Sequence, residues 1–186
     1  MERTPKLLAV IDYQNDFVTG ALGFDGAAAI DDGIARLAQT YLAQGDHVLF
    51  TYDTHGDGYL DTREGRALPV PHCDPASAGW RLYGKTQELC CETCANHQIH
   101  TVYKQCFGMA PEDVVRLGKE LPGLREILIV GVVTNMCVIS NAVLLQSQWP
   151  EAQLTVDASL CRSFDPALHE KALDVMQGLQ INVINR

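Results

Sequence analysis

The chain has 186 residues, 47% of them apolar, which is enough to bury one substantial core and too few to require a second. Its 14 Lys and Arg face 23 Asp and Glu, a formal net charge of −9, and that balance disfavours nucleic acid as a partner because such binding rests on cations neutralising phosphates. A small neutral or cationic substrate suits it better.

The opening MERTPKLLAVIDYQ has five apolar residues before Asp12, too few for a signal-peptide core or a membrane span, so a cytoplasmic protein is expected. The seven cysteines are then expected to be reduced thiols, not a disulfide framework. Short Val/Ile-rich runs at 6–12 (KLLAVID), 47–53 (HVLFTYD), 99–104 (IHTVYK), 126–133 (EILIVGVV), 154–160 (LTVDASL) and 181–184 (INVI) predict buried strands, since strands covered on both faces lose the period-2 alternation. Between the first two, Ile30, Ile34, Leu37 and Tyr41 repeat with helical spacing, closed by Gly45. The stretch 56–80 shows no clear period and reads as a long functional loop. Helices are predicted to start at Pro111, with Glu112 and Asp113 complementing the dipole, and at Pro166 after an Asp165 cap. Alternation of this kind predicts one α/β domain over 1–186, a three-layer α/β/α arrangement with a mostly parallel six-stranded sheet. The ligand crevice of such a sheet lies beyond the carboxyl ends of its strands.

Three reactive residues stand at those ends: Asp12, Lys104, and Cys137 at the opening of a helix. A helix N-terminus and an ammonium both favour thiolate, and a nearby carboxylate can act as base toward the thiol and acid toward a leaving amine. Taken singly, the cysteine also fits a small buried hydrophobe, Asp12 a turn residue and Lys104 a solvated strand end. A second group, Asp53, His55, Glu64 and His72, offers two imidazoles and two carboxylates, a set suited to Zn, Mn or Fe more than to Ca or Mg. Asp53 and His55 alternate by two and so face the same way on extended chain. Cys91 and Cys94 form a CxxC without a second pair, a weak pattern for zinc or redox chemistry. His47, His97, His100 and His169 have no partner at motif spacing.

VIDYQNDF at 10–17 and GVVTNMCV at 131–138 together resemble the opening and nucleophile motifs of the isochorismatase-like hydrolases, and 51–73 resembles the metal-site region of their nicotinamidase branch. That resemblance implies a Rossmann-like fold, a catalytic set of Asp12, Lys104 and Cys137, and a cis peptide between Val132 and Val133. It further implies an oxyanion hole from the N–H groups of Val133 and Cys137, and a divalent metal, Zn foremost, on Asp53, His55, Glu64 and His72. Phe17, Trp80, Tyr103 and Cys106 are expected to wall the substrate pocket. The implied activity is hydrolysis of a small carboxamide, nicotinamide foremost, through a thioester, by a homo-oligomer. Where many nicotinamidases carry an aromatic between the Asp and His of the metal motif, this chain has Thr54. That departure leaves room for another amide or a ureido compound. The rival readings are a vinyl-ether hydrolase, which does not need the cysteine, a non-catalytic member of the fold, and a thiol redox protein built on Cys91 and Cys94.

Overall fold

A computed structural model describes residues 4–92 and 96–186, and their side chains apart from those of 91 and 92. Cys94 and the side chain of Cys91 therefore lie outside the described residues. Six strands, β1 (Lys6–Ile11), β2 (His47–Asp53), β3 (Ile99–Lys104), β4 (Glu126–Val132), β5 (Gln153–Arg162) and β6 (Asn182–Ile184), form one sheet in the order β3-β2-β1-β4-β5-β6. Every pairing is parallel. The order reverses between β1 and β4, so the crevice that this topology opens lies beyond the ends of those two strands.

The helices are α1 (Asn15–Val18), α2 (Asp31–Ala43), α3 (Arg63–Ala67), α4 (Gly84–Glu92), α5 (Pro111–Glu120), α6 (Ile139–Gln148) and α7 (Pro166–Gly178). Asp165 caps α7 by accepting hydrogen bonds from the N–H groups of Ala167 and Leu168, as its position before Pro166 predicts. The stretch 56–80 is more ordered than its lack of period suggests. Tyr59–Asp61 makes a helical turn, and Thr62 then caps α3 by accepting from the Gly65 N–H. Such a short helix carries too few residues to display a period.

Both faces of the sheet are covered, and β1 shows why its sequence is continuously apolar. Leu7, Ala9 and Ile11 pack with residues of α5, α6 and α7, whereas Leu8 and Val10 pack with Ile34 and Ala38 of α2 and Leu89 of α4. β1 and β4 approach closely at Ile11 and Gly131, which are register partners. Gly131 has φ of 117°, and a Cβ there would overlap the Ile11 carbonyl, so only glycine fits. No helix of the described residues is long and apolar enough to cross a membrane.

Candidate active site

Asp12 just past β1, Lys104 at the end of β3 and Cys137 in the turn after β4 are all buried and meet at one point. The Lys104 Nζ lies 2.7 Å from Asp12 Oδ2, 3.0 Å from Asp53 Oδ1 and 3.6 Å from Cys137 Sγ. It also donates to the Cys106 carbonyl at 3.0 Å. Burial opposes a charge on Lys104, but the carboxylates of Asp12 and Asp53 outweigh it and hold the ammonium well above the ordinary lysine range. It stays protonated. Thr51 Oγ1 donates to Asp12 Oδ1 at 2.6 Å and accepts from the Asp12 N–H at 3.1 Å, which fixes the carboxylate.

Burial raises the Asp12 carboxyl above its usual range against the pull of Lys104. Burial also pushes the Cys137 thiol well up, more than Lys104 draws it down, and both Asp12 and Asp53 add to the rise. These surroundings disfavour the thiolate that a helix start and an ammonium would favour. Two nearby carboxylates and exclusion of water outweigh a single cation. The geometry supplies a base beside a thiol, so the proton has to travel only one contact.

Asp53 joins this group to the second one. Its Oδ1 faces Lys104, while its Oδ2 lies 3.1 Å from His55 Nε2 and 3.4 Å from His72 Nε2. Burial alone would raise this carboxyl, but hydrogen bonding from the two imidazoles and the charge of Lys104 hold it below the usual carboxylate range. His72 Nδ1 is 2.8 Å from the Val70 carbonyl, which can only accept. Nδ1 therefore carries a hydrogen, and Nε2 donates toward Asp53 Oδ2 when the imidazole is protonated, while loss of that proton frees its lone pair for an ion. One ligand atom from each of Asp53, His55, Glu64 and His72 lies within 4.8 Å of the others. A first-row divalent ion with ligands at about 2.0–2.2 Å separates its donors by roughly 3–4.4 Å, so these residues fit such an ion after small adjustments. α3 delivers Glu64, and Thr62 caps the start of that helix by accepting from the Gly65 N–H.

A cavity of about 1340 Å³ covers these groups. Phe17, Cys106, Val133, Met136 and Cys137 are among the residues that line it. Trp80 and Tyr103 are not. They stack on each other at 5.5 Å, and both contact Tyr52. The cause is strand alternation: Tyr52 pairs with Tyr103 and Asp53 with Lys104, so the aromatics point away from the face that carries the charged pair. The peptide bond between Val132 and Val133 is cis, as the resemblance implies.

Buried Gln14 and Asn141 support the site without belonging to the residue sets that the sequence points to. Gln14 donates to the carbonyls of Asp53 and Trp80 at 2.9 and 2.8 Å and accepts from the Asp53 N–H at 2.7 Å. Asn141 donates to the Cys137 and Phe107 carbonyls at 2.8 and 3.0 Å and accepts from the Met109 N–H. His169, which has no partner at motif spacing, meets Thr134 Oγ1 at 2.8 Å across the fold. Apart from the Asn141–Cys137 bond, which spans four residues, these partners are distant in sequence, and only the position of Gln14 inside VIDYQNDF gives any signal.

The isochorismatase domain model matches residues 6–186. An uncharacterised isochorismatase family protein, PncA of Bacillus subtilis, is 29% identical over 142 residues, covering 74% of this chain and 76% of that protein. The crystal structure of nicotinamidase PncA from Bacillus subtilis superposes with a TM-score of 0.85 at 28% identity, over 96% of this chain and 98% of that one. A pyrazinamidase/nicotinamidase from Streptococcus mutans is similar at a TM-score of 0.82 and 25% identity, over 96% and 99% of the two chains.

Proposed function

The chain belongs to the isochorismatase family, and from that membership we propose that it is a cysteine amidohydrolase that releases ammonia from a small carboxamide, with nicotinamide as the leading substrate. The observation that carries this reading is the buried Lys104 ammonium in contact with a carboxylate and a thiol at once, 2.7 Å from Asp12 Oδ2 and 3.6 Å from Cys137 Sγ. The similarity to the nicotinamidases of Bacillus subtilis and Streptococcus mutans supports the substrate class.

The chemistry follows from the positions. Asp12 takes the thiol proton as Cys137 Sγ attacks the amide carbon, and the N–H groups of Val133 and Cys137 hold the oxygen that becomes negative. Collapse of the tetrahedral adduct breaks the C–N bond, with Asp12 returning the proton so that ammonia leaves and a thioester remains. Asp12 next accepts a proton from the attacking water, whose oxygen adds to the thioester. The acid departs and the sulfur recovers the proton. Lys104 keeps a positive charge beside Asp12 and Cys137 throughout, so the negative charge can pass from one to the other without water to solvate it.

Asp53, His55, Glu64 and His72 would hold a divalent metal, Zn foremost and Mn or Fe as alternatives. When bound, it supplies a Lewis-acid anchor that positions a heteroaromatic nitrogen. Purified protein should release ammonia from nicotinamide after chelation and return of Zn, Mn or Fe, and Cys137→Ala should lose turnover with its circular dichroism unchanged. Retained turnover in Cys137→Ala would place the chemistry elsewhere.

A further inference from the structure

The cavity is far larger than the reaction just described requires, and its chemistry differs between its two ends. Sites for drug-sized ligands occupy about 300–1,000 Å³. This one has about 1340 Å³, although a single-ring carboxamide is smaller than a drug-sized ligand. On one side lie His55, Glu64 and His72, beyond the end of β2. On the other lies Phe164, just beyond the end of β5, with Phe24 edge-on to it at 6.1 Å and Leu22 alongside. β2 and β5 are separated in the sheet by β1 and β4. Three strand spacings of about 4.8 Å put the two ends of the cavity roughly 14 Å apart. Cys137, which follows β4, stands between them.

A single ring anchored at the β2 side, with its amide over Cys137, leaves the Phe24 and Phe164 side unfilled. That side is apolar, and Phe164, one of its lining residues, is 56% exposed. Apolar surface facing a ligand cavity is stabilised by an apolar ligand group, and an edge-on aromatic pair presents both a ring edge and a ring face to another ring. We propose that Phe24, Phe164 and Leu22 form a distal subsite, and that the substrate is a primary carboxamide whose acyl part carries a second apolar group, an aryl ring or short alkyl arm, beyond the first ring. The proposal rests on the amidohydrolase reading and specifies its substrate class. The reaction is unchanged, because the arm lies on the acyl side and remains with the acid when ammonia leaves.

The test compares kcat/KM for ammonia release from nicotinamide, 4-phenylnicotinamide and 5-phenylnicotinamide, whose phenyl groups point away from the ring nitrogen. It uses the metal-loaded protein and the Phe24→Ala/Phe164→Ala double variant, with thermal melting to check that the variant folds. At least one phenyl derivative should exceed nicotinamide by tenfold or more, mainly through a lower KM, and the double variant should bring that ratio close to one. Nicotinamide turned over as well as either derivative would overturn the distal subsite while leaving the amidohydrolase standing, as would a ratio that survives in the double variant. Absence of ammonia release from all three would overturn both. If the double variant does not fold, Phe164→Leu, which keeps the site apolar but removes the ring, should reduce the ratio at least threefold. An unchanged ratio there would count against the subsite.

Discussion

Asp12 has two demands placed on it: it must be ionised to take the thiol proton, and it must be able to hold that proton afterwards. Burial raises its carboxyl, which serves the second demand, while Lys104 and Thr51 favour the ionised form. Because the folded value lies above the ordinary carboxylate value of about 3.9, the base is present only above that raised value and is lost as pH falls through it. The acid limb of kcat/KM should therefore lie at higher pH than an exposed aspartate would give. Asp12→Asn should cost about 10²–10⁴-fold in turnover, and a loss below tenfold would remove Asp12 from the base role. The positions of Asp12, Lys104 and Cys137 were legible because each stands at a strand end within a short motif. The rise of the Cys137 thiol was not, because local sequence shows the helix start but hides how deeply the sulfur is buried and that Asp12 and Asp53 both reach it, the latter through the pairing of β2 with β3. Trp80 and Tyr103 were unreadable as pocket walls for a related reason: the alternation within β3 places Tyr103 opposite Lys104, but which face meets the cavity is decided by neighbouring strands.

Among the elements, β1 and β4 set the spacing of the catalytic groups. Gly131 permits their contact, and any side chain there meets both an unfavourable φ and the Ile11 carbonyl. Gly131→Ala should destabilise the protein by more than about 3 kcal/mol, visible as a lowered urea midpoint, and should reduce turnover as Asp12 and Cys137 move apart. A cost under about 1 kcal/mol would mean that the strands can separate without penalty. Five of the six strand runs and the Pro-initiated helices were readable from composition and caps, and β5 was readable except for its extent. It runs from Gln153 to Arg162, past the expected end at Leu160, with a register shift against β4 between Ile129 and Gly131. α3 escaped notice because its five residues are ordered by one threonine cap and by contacts to the chain around Tyr59, not by an apolar stripe.

At the scale of the molecule, four donors from β2, its following turn, α3 and the loop after it converge on one volume. An ion that binds the folded chain alone stabilises it by mass action, about 2.7 kcal/mol at a hundred times its dissociation constant. For a chain of this size that corresponds to a rise in Tm of roughly 5–11 °C on adding Zn to chelated protein. His72→Ala should abolish the rise, and an equal rise in that variant would move the ion elsewhere. The overall α/β architecture was legible because parallel strands buried on both faces leave a plain apolar signature, and here the structure goes further than the expected mostly parallel sheet, since all five pairings are parallel.

The contacts of Lys104 have a consequence for how the protein is made. Its partners Asp53 and Cys137 lie 51 and 33 residues away along the chain, and β1, β2, β3 and β4 must all be docked before the ammonium has its full surroundings. Helices can form from local interactions well before such distant strands pair, and parallel pairing is slow because long loops must close first. Ellipticity should thus return ahead of turnover during refolding, which makes catalysis itself a clock for the last stage of sheet assembly.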